Sequence, residues 1–201
     1  MLKRTALFAA HQQLGGKLIE FGGWEMPVQY TSVTDEHLAV RNTAGIFDIS
    51  HMGEVTVSGA GAANFLNAVL TNDIRKLAPG EGQYTLMCQE RGGVIDDLYA
   101  YRLSGEVFLL IINASRIEPD VAWLQAQAAK FPRRGELQLT DASHNYAAVA
   151  AWFFCTRRRC SAHRARFYRV KTWVAFYQFY TVDLFYQKLK IFQCSFLMVY
   201  S

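Results

Sequence analysis

Two adjacent carboxylates, Asp96 and Asp97, stand inside a run, Val94 to Leu103, that otherwise reads as a strand. Side chains alternate faces along a strand, so Asp97, Tyr99 and Tyr101 share one face while Asp96, Leu98 and Ala100 share the other. The pair therefore cannot work side by side as an acid–base dyad on one substrate. Acids are disfavoured in strand interiors, so their presence needs a reason. One reading points one Asp into a pocket while the other caps the turn or meets solvent. The other reading is an edge strand whose acids are both solvated, and from the residues alone it is the better supported. Ser50-His51-Met52-Gly53 could present His51 at a site, but no serine-nucleophile signature surrounds it, and a structural histidine is the commoner outcome. Gly22-Gly23-Trp24 lacks the Lys-Ser/Thr ending that would cradle a phosphate. His11, His37, His51 and His144 stand apart with no ligand spacing, so no metal centre is expected.

The elements that must position these residues follow from periodicity. Ala6 to Leu14 reads as a short helix broken by Gly15-Gly16, and Val33 to Asn42 as a second, with Ser32 or Thr34 as cap and Gly45 as its stop. Ile46 to Ser58 reads as a strand, and Ala60 to Leu70 as a helix with Phe65, Leu66, Val69 and Leu70 on one side. Gln83–Cys88 and Val94–Leu103 flank Arg91-Gly92-Gly93 as a β-hairpin, and Val107 to Ile112 gives a third strand. Ile117 to Lys130 is a helix with Val121, Leu124 and Ala128 inward, and further strands fall at Leu137–Leu139 and Tyr146–Ala151. Mixed helices and strands with hairpin-length connections indicate an α+β fold, with a largely antiparallel sheet and flanking helices.

Composition sets the outer bounds. With 51% hydrophobic and 19% charged residues, the 201-residue chain is not broadly disordered. No apolar run approaches the roughly 20 residues of a membrane-spanning helix, and the N-terminus does not read as a secretory signal. The expected location is cytoplasmic, with Cys88, Cys155, Cys160 and Cys194 reduced. The net charge of +4 averages two unlike pieces. Residues 1–150 hold 12 Lys and Arg against 16 Asp and Glu, whereas residues 151–201 hold 9 against the single acid Asp183. Every glycine and proline lies at or before Gly135, yet residues 151–201 carry 15 of the 28 aromatics. A basic, aromatic tail built on Arg157, Arg158, Arg159, Arg164, Arg166 and Arg169 could meet nucleic acid or a membrane surface. It lacks turn chemistry and sustained periodicity, so a frameshift or read-through origin accounts for it better, and neither partner is expected.

Read together, a set of segments resembles one family. They are Lys3-Arg4-Thr5, Phe21-Gly22-Gly23-Trp24-Glu25-Met26-Pro27-Val28-Gln29-Tyr30, Glu36 to Arg41, Gly45-Ile46-Phe47-Asp48-Ile49-Ser50-His51-Met52-Gly53-Glu54 and Leu70-Thr71-Asn72-Asp73. Tyr84-Thr85-Leu86-Met87, Gly92-Gly93-Val94-Ile95-Asp96-Asp97-Leu98 and Ile112-Asn113-Ala114 complete them. In order and spacing this resembles the T-protein of the glycine cleavage system, the tetrahydrofolate-dependent aminomethyltransferase, over its first, folate-binding domain. The resemblance implies that the aminomethyl carbon moves from the lipoyl arm of the H-protein to tetrahydrofolate as ammonia leaves. It implies Asp97 as the key carboxylate near the reacting amines, where an anion stabilises a developing cation. It implies Tyr84 and Tyr101 as pocket aromatics, Met52 as an apolar wall and Asn113 as a polar group at the pterin end.

The resemblance stops at about Ala151. The family continues after Tyr146-Ala147-Ala148-Val149-Ala150 with a Gln-Gly-Pro turn and two further domains, whereas here Trp152-Phe153-Phe154 follow. The expected organisation is a domain over 1–150 and an unmatched tail over 151–201, in a chain inactive as it stands. Two alternatives share the fold: the folate-binding domain of a dimethylglycine- or sarcosine-oxidising flavoenzyme, and a non-enzymatic folate-binding relative serving iron–sulfur maturation. An upstream dinucleotide-binding Gly motif would mark the first and a functional cysteine motif the second.

Overall fold

In the computed structural model, residues 1–154 and 170–178 are described, with side chains described as far as Ala151. The arginines at 157, 158, 159, 164, 166 and 169, the cysteines at 155, 160 and 194, and Asp183 lie outside the described residues. In chain order the helices are α1 (Phe8–Gln13), α2 (Val33–Asn42), α3 (Ala62–Val69) and α4 (Ile117–Lys130). The strands are β1 (Lys17–Phe21), β2 (Trp24–Gln29), β3 (Ala44–Asp48), β4 (Gly53–Ser58), β5 (Gly82–Cys88), β6 (Val94–Ser104), β7 (Val107–Ile112), β8 (Gln138–Asp141), β9 (Tyr146–Phe154) and β10 (Val170–Gln178). The described residues form two units: Met1–His51 together with Tyr146–Phe154 and Val170–Gln178, and Met52–Asn145. The fold is α+β, and among the described residues every strand pair is antiparallel.

The unit Met52–Asn145 is one five-stranded sheet in the order β5-β6-β7-β4-β8. One face of it is apolar and covered. Val55 and Val57 from β4, Leu98 and Ala100 from β6, and Phe108 and Leu110 from β7 pack with Phe65 and Leu66 of α3 and Leu124 of α4. All are 0–2% exposed, and burial of each large side chain contributes about 1.5–3 kcal/mol. The alternation expected along β6 is realised: Asp96, Leu98 and Ala100 are buried, while Asp97 and Tyr99 are exposed. The edge-strand reading is overturned. β6 lies between β5 and β7, pairing Tyr84 with Tyr99 on one side and Ile111 with Tyr99 on the other. Consequently Asp96 is not solvated; it is 8% exposed, on the helix-covered face.

The unit that opens the chain carries the β1–β2 hairpin and the sheet order β10-β9-β3, with β9 running from the matched segment through Ala151 to Phe154. Two expectations are corrected here. Ile46 to Ser58 is not one strand: β3 and β4 are separated at Ile49–Met52, where the Ser50 backbone N–H turns back to donate to Asp48 Oδ1 (2.9 Å). Nor is Gly45 the stop of α2, which ends at Asn42 with Thr43 as its cap residue. Gly45 lies within β3, where a Cβ would come within 2.6 Å of Val40 Cγ2. The glycine lets the helix lie close on the strand. Ser32 is the N-cap, its Oγ accepting from the Asp35 backbone N–H (3.1 Å). The buried residue of α2 is Glu36, while Leu38 is 50% exposed. Glu36 Oε1 accepts from the backbone N–H groups of Tyr30 and Thr31 (2.7 Å each), so the helix secures the preceding loop by a polar rather than an apolar contact.

Asp48 is the polar centre of this unit. Thr5 Oγ1 donates to its Oδ2 at 2.7 Å and His11 Nε2 reaches the same oxygen at 2.9 Å. With Nε2 as donor, His11 Nδ1 accepts from the Tyr30 hydroxyl at 2.7 Å. Burial alone would raise the Asp48 pKa, but the hydrogen bonds from His11, Ser50 and Thr5 outweigh it and hold the pKa below the ordinary carboxylate range. Burial and the nearby Asp48 and Glu36 charges raise the Tyr30 hydroxyl in turn. Removing one partner of such a buried set leaves the others without theirs. Asp48→Ala is expected to lower stability by about 3–5 kcal/mol, read from denaturant midpoints; a loss below about 0.5 kcal/mol, the usual range of a surface change, would contradict the role assigned to Asp48.

Candidate functional site

The exposed face of the Met52–Asn145 sheet gathers the polar and aromatic residues. β5 and β6 pair Tyr84 with Tyr99, Leu86 with Asp97 and Gly82 with Tyr101. Paired residues of an antiparallel sheet project to the same side, so Asp97 and three tyrosines share one surface. Tyr84 and Tyr99 are 49% and 47% exposed and meet edge to face at 5.9 Å, and Tyr99 stacks on Tyr101 at 5.8 Å. Gly82 is what admits Tyr101. A Cβ at Gly82 would run into the Tyr101 ring, so the ring lies across bare β5 backbone.

Asp97 is held from two directions. The Tyr84 hydroxyl donates to Asp97 Oδ2 at 2.9 Å. The Asn113 side-chain amide, just past the end of β7, donates to Asp97 Oδ1 at 3.2 Å and to the Asp97 carbonyl at 3.1 Å. The same Nδ2 lies 2.9 Å from Asp96 Oδ1, and the Asn113 backbone N–H reaches Asp96 Oδ2 at 3.3 Å. The hydrogen bond to Asp97 raises the Tyr84 pKa, and burial followed by the neighbouring Tyr99 pushes Tyr101 up to about 12. Both phenols are therefore neutral donors at physiological pH. Met52, half-buried, precedes Gly53, which pairs with Ile112; Met52 and Asn113 thus stand at the same end of the β4–β7 pair. Of the expected site residues, hydrogen bonds join Asp97, Tyr84 and Asn113, ring stacking adds Tyr101 through Tyr99, and register places Met52 nearby. A groove lined by Val69, Thr71, Cys88, Arg91 and Trp123 contains none of them.

Two residues were not legible as part of this arrangement. Asp120 of α4 is 0% exposed, and its carboxyl, which has no hydrogen-bond partner, faces that of Asp96. Glu54 of β4 pairs with Ile111, which pairs with Tyr99, so Glu54 belongs to the tyrosine-bearing face. It is nevertheless 0% exposed, and neither carboxyl oxygen has a hydrogen-bond partner. Burial, with a smaller contribution from Asp141, pushes its pKa up to about 8. An acid at the second position of a strand is the only signal the sequence offered for it.

Against this geometry stand the matches to known proteins. The GCVT N-terminal domain matches residues 7–153. The chain belongs to that family. An aminomethyltransferase of Geobacillus kaustophilus is 50% identical over 150 residues, covering 75% of this chain and 40% of that protein. One from Halalkalibacterium halodurans is 54% identical over 149 residues, covering 74% and 40%. Among solved structures, the glycine cleavage system aminomethyltransferase T of Bartonella henselae superposes with a TM-score of 0.68 at 36% identity, over 75% of this chain and 40% of that one. The chain thus spans about 40% of the length of these relatives. The likeness covers the GCVT N-terminal domain and includes every residue of the tyrosine-bearing face.

Two outcomes test the geometry of this GCVT N-terminal domain. Gly82→Ala should cost about 1–3 kcal/mol through overpacking against Tyr101. In a Tyr101→Ala background the same change should cost little; a penalty that persists there rules out the ring as its cause. For Glu54, a folded-state pKa near 8 means that the native protein keeps a proton the unfolded chain releases. Stability therefore falls as pH rises from the ordinary carboxylate range through about 8. Glu54→Gln should flatten that fall, so urea midpoints of the variant and the wild type should diverge progressively toward alkaline pH.

Proposed function

We propose that this chain supplies the folate-facing part of a tetrahydrofolate-dependent aminomethyltransferase of the glycine cleavage system. In that reaction the aminomethyl carbon carried on the lipoyl arm of the H-protein passes to tetrahydrofolate, with release of ammonia and of the dihydrolipoyl arm. The observation that carries the reading is Asp97, exposed on a tyrosine-lined face and fixed there by Tyr84 and Asn113. Family membership supports it, and the relatives bear the name aminomethyltransferase.

The residues present fit such a ligand. A flat bicyclic ring finds π-faces in Tyr84, Tyr99 and Tyr101, and its N–H groups find an acceptor in Asp97. Asp97 holds negative charge beside the carbon under attack, where positive charge develops as ammonia departs. A fixed anion stabilises that charge without moving, which lowers the barrier more than it strengthens binding. Tyr84 and Asn113 act by keeping the Asp97 carboxylate in place, and Met52 closes the end of the surface nearest Asn113. The lipoylated H-protein is the proposed partner, the cytoplasm the proposed location, and residues 1–150 the proposed folate-binding domain. Because the face is open to solvent here, the 201-residue chain alone is expected to yield no methylenetetrahydrofolate above background.

The decisive comparison uses this domain within a protein of the relatives' full length. Asp97→Asn keeps size and hydrogen bonding but removes the charge. Turnover with aminomethylated H-protein should fall on the order of 100-fold or more, while the dissociation constant for tetrahydrofolate changes far less. A variant that turns over at the wild-type rate would exclude Asp97 as the stabilising charge.

A further inference from the structure

Behind Asn113, on the helix-covered face, two acids meet. Asp96 of β6 is 8% exposed, and both of its carboxylate oxygens already accept from Asn113, at 2.9 Å from Nδ2 and 3.3 Å from the backbone N–H. Asp120 of α4 is 0% exposed, and no side-chain or backbone donor forms a hydrogen bond to either of its oxygens. The charged groups facing Asp120 are Asp96 across the interface and Arg116 from the turn before its own helix. The Arg116 Nη2 stands 3.5 Å from Asp120 Oδ1, but its side chain is 43% exposed, so it offsets only part of the charge.

Two ionised carboxylates in contact inside a protein repel each other, and each gives up hydration. A carboxylate without donors in such a place is the one that takes up a proton, and the other, already fed by two donors, is the one placed to accept a hydrogen bond from it. We infer that Asp120 and Asp96 share a single proton, and that this buried acid pair is the positioning support that orients the Asn113 amide and, through it, Asp97 on the exposed face. Protonated Asp120 donates to Asp96, Asp96 accepts from Asn113, and the remaining reach of Asn113 Nδ2 holds Asp97. Burial first, then the hydrogen bond and charge of Asp96, push Asp120 up to about 7, with Arg116 opposing. The support is thus intact below neutrality, and above it a second negative charge appears behind Asn113. The importance of the support to catalysis rests on the reading of Asp97 as the folate-facing carboxylate, whereas its existence does not.

The test is nuclear magnetic resonance of the Asn113 side-chain amide in the full 201-residue chain, without folate, from about pH 5 to about pH 9. In the wild type this signal should titrate with a midpoint near 7. Asp120→Asn supplies a permanent donor to Asp96, so the signal should lose its titration and keep the wild-type position seen at low pH. Asp120→Ala supplies none, and the Asn113 amide protons should lose their protection against exchange with water. A wild-type signal that does not titrate, a titration that survives in Asp120→Asn, or full protection in Asp120→Ala would each overturn the inference. Should Asp120→Ala fail to fold, the Asp120→Asn comparison decides alone. Since no folate is present, failure of the Asp97 reading cannot mimic any of these results.

Discussion

Along β6 each successive side chain faces the opposite side of the sheet, so Asp96 and Asp97, neighbours in the chain, occupy different media. Asp97 meets water and the tyrosines; Asp96 is carried under α4 with the apolar core. An interior strand imposes this without exception, because both of its edges are fixed by pairing with β5 and β7. The buried member therefore has to be satisfied from within, and Asn113 does it with a side-chain and a backbone donor. The exposed member then inherits the remaining reach of the same amide. The position of the exposed carboxylate is a consequence of the cost of burying its neighbour.

Four other buried acids show the two ways a protein meets that cost. Asp48 and Glu36 are surrounded by donors: Thr5, His11 and the Ser50 N–H for one, the Tyr30 and Thr31 N–H groups for the other. For Asp48 those bonds outweigh burial and hold its pKa below the ordinary carboxylate range. Glu54 and Asp120 lack such donors and are pushed toward neutrality, to about 8 and about 7. The difference lies in what the local backbone can offer. Asp48 precedes a turn with a free N–H, and Glu36 sits in the first turn of a helix beside a loop with two. Glu54 lies within a strand, where N–H groups are already committed to the ladder, and Asp120, although also in the first turn of a helix, meets Asp96 and Arg116 instead of a donor-bearing loop.

What the sequence revealed and what it concealed divide along the same physical line. The faces of β6, the span of α4 and the inward set of α3 were readable because they depend on local period. The sharing of a face by Asp97 and Tyr101 followed from spacing alone, and the order of motifs pointed to the family before any contact was known. Whether β6 lay at an edge was not readable, since strand neighbours are set by pairings far apart in sequence. For that reason the residues alone favour a solvated Asp96, which the sheet buries. Gly45 looked like a helix stop because glycine commonly ends helices; its role, making room for Val40 against β3, exists only once helix and strand are packed. Asp120 carried no local mark at all, being one acid in the first turn of a helix, where acids are ordinary.

The chain path explains why one segment can set both halves of the site. Asn113 follows β7 directly, the turn Ala114–Arg116 comes next, and α4 then carries Asp120 back over the sheet. Amide, guanidinium and buried acid thus come from eight consecutive residues whose position is fixed by Ile112 at one end and Leu124 at the other, both 0% exposed. A carboxylate on an open strand face would ordinarily sample several rotamers and lose conformational freedom on engaging a ligand. Here that cost is met during folding, because the amide that orients Asp97 is anchored by Asp96 and by the helix behind it. The Asp96-Asp97 doublet thus ties a carboxylate on an exposed surface to a buried one beside it through the single Asn113 amide.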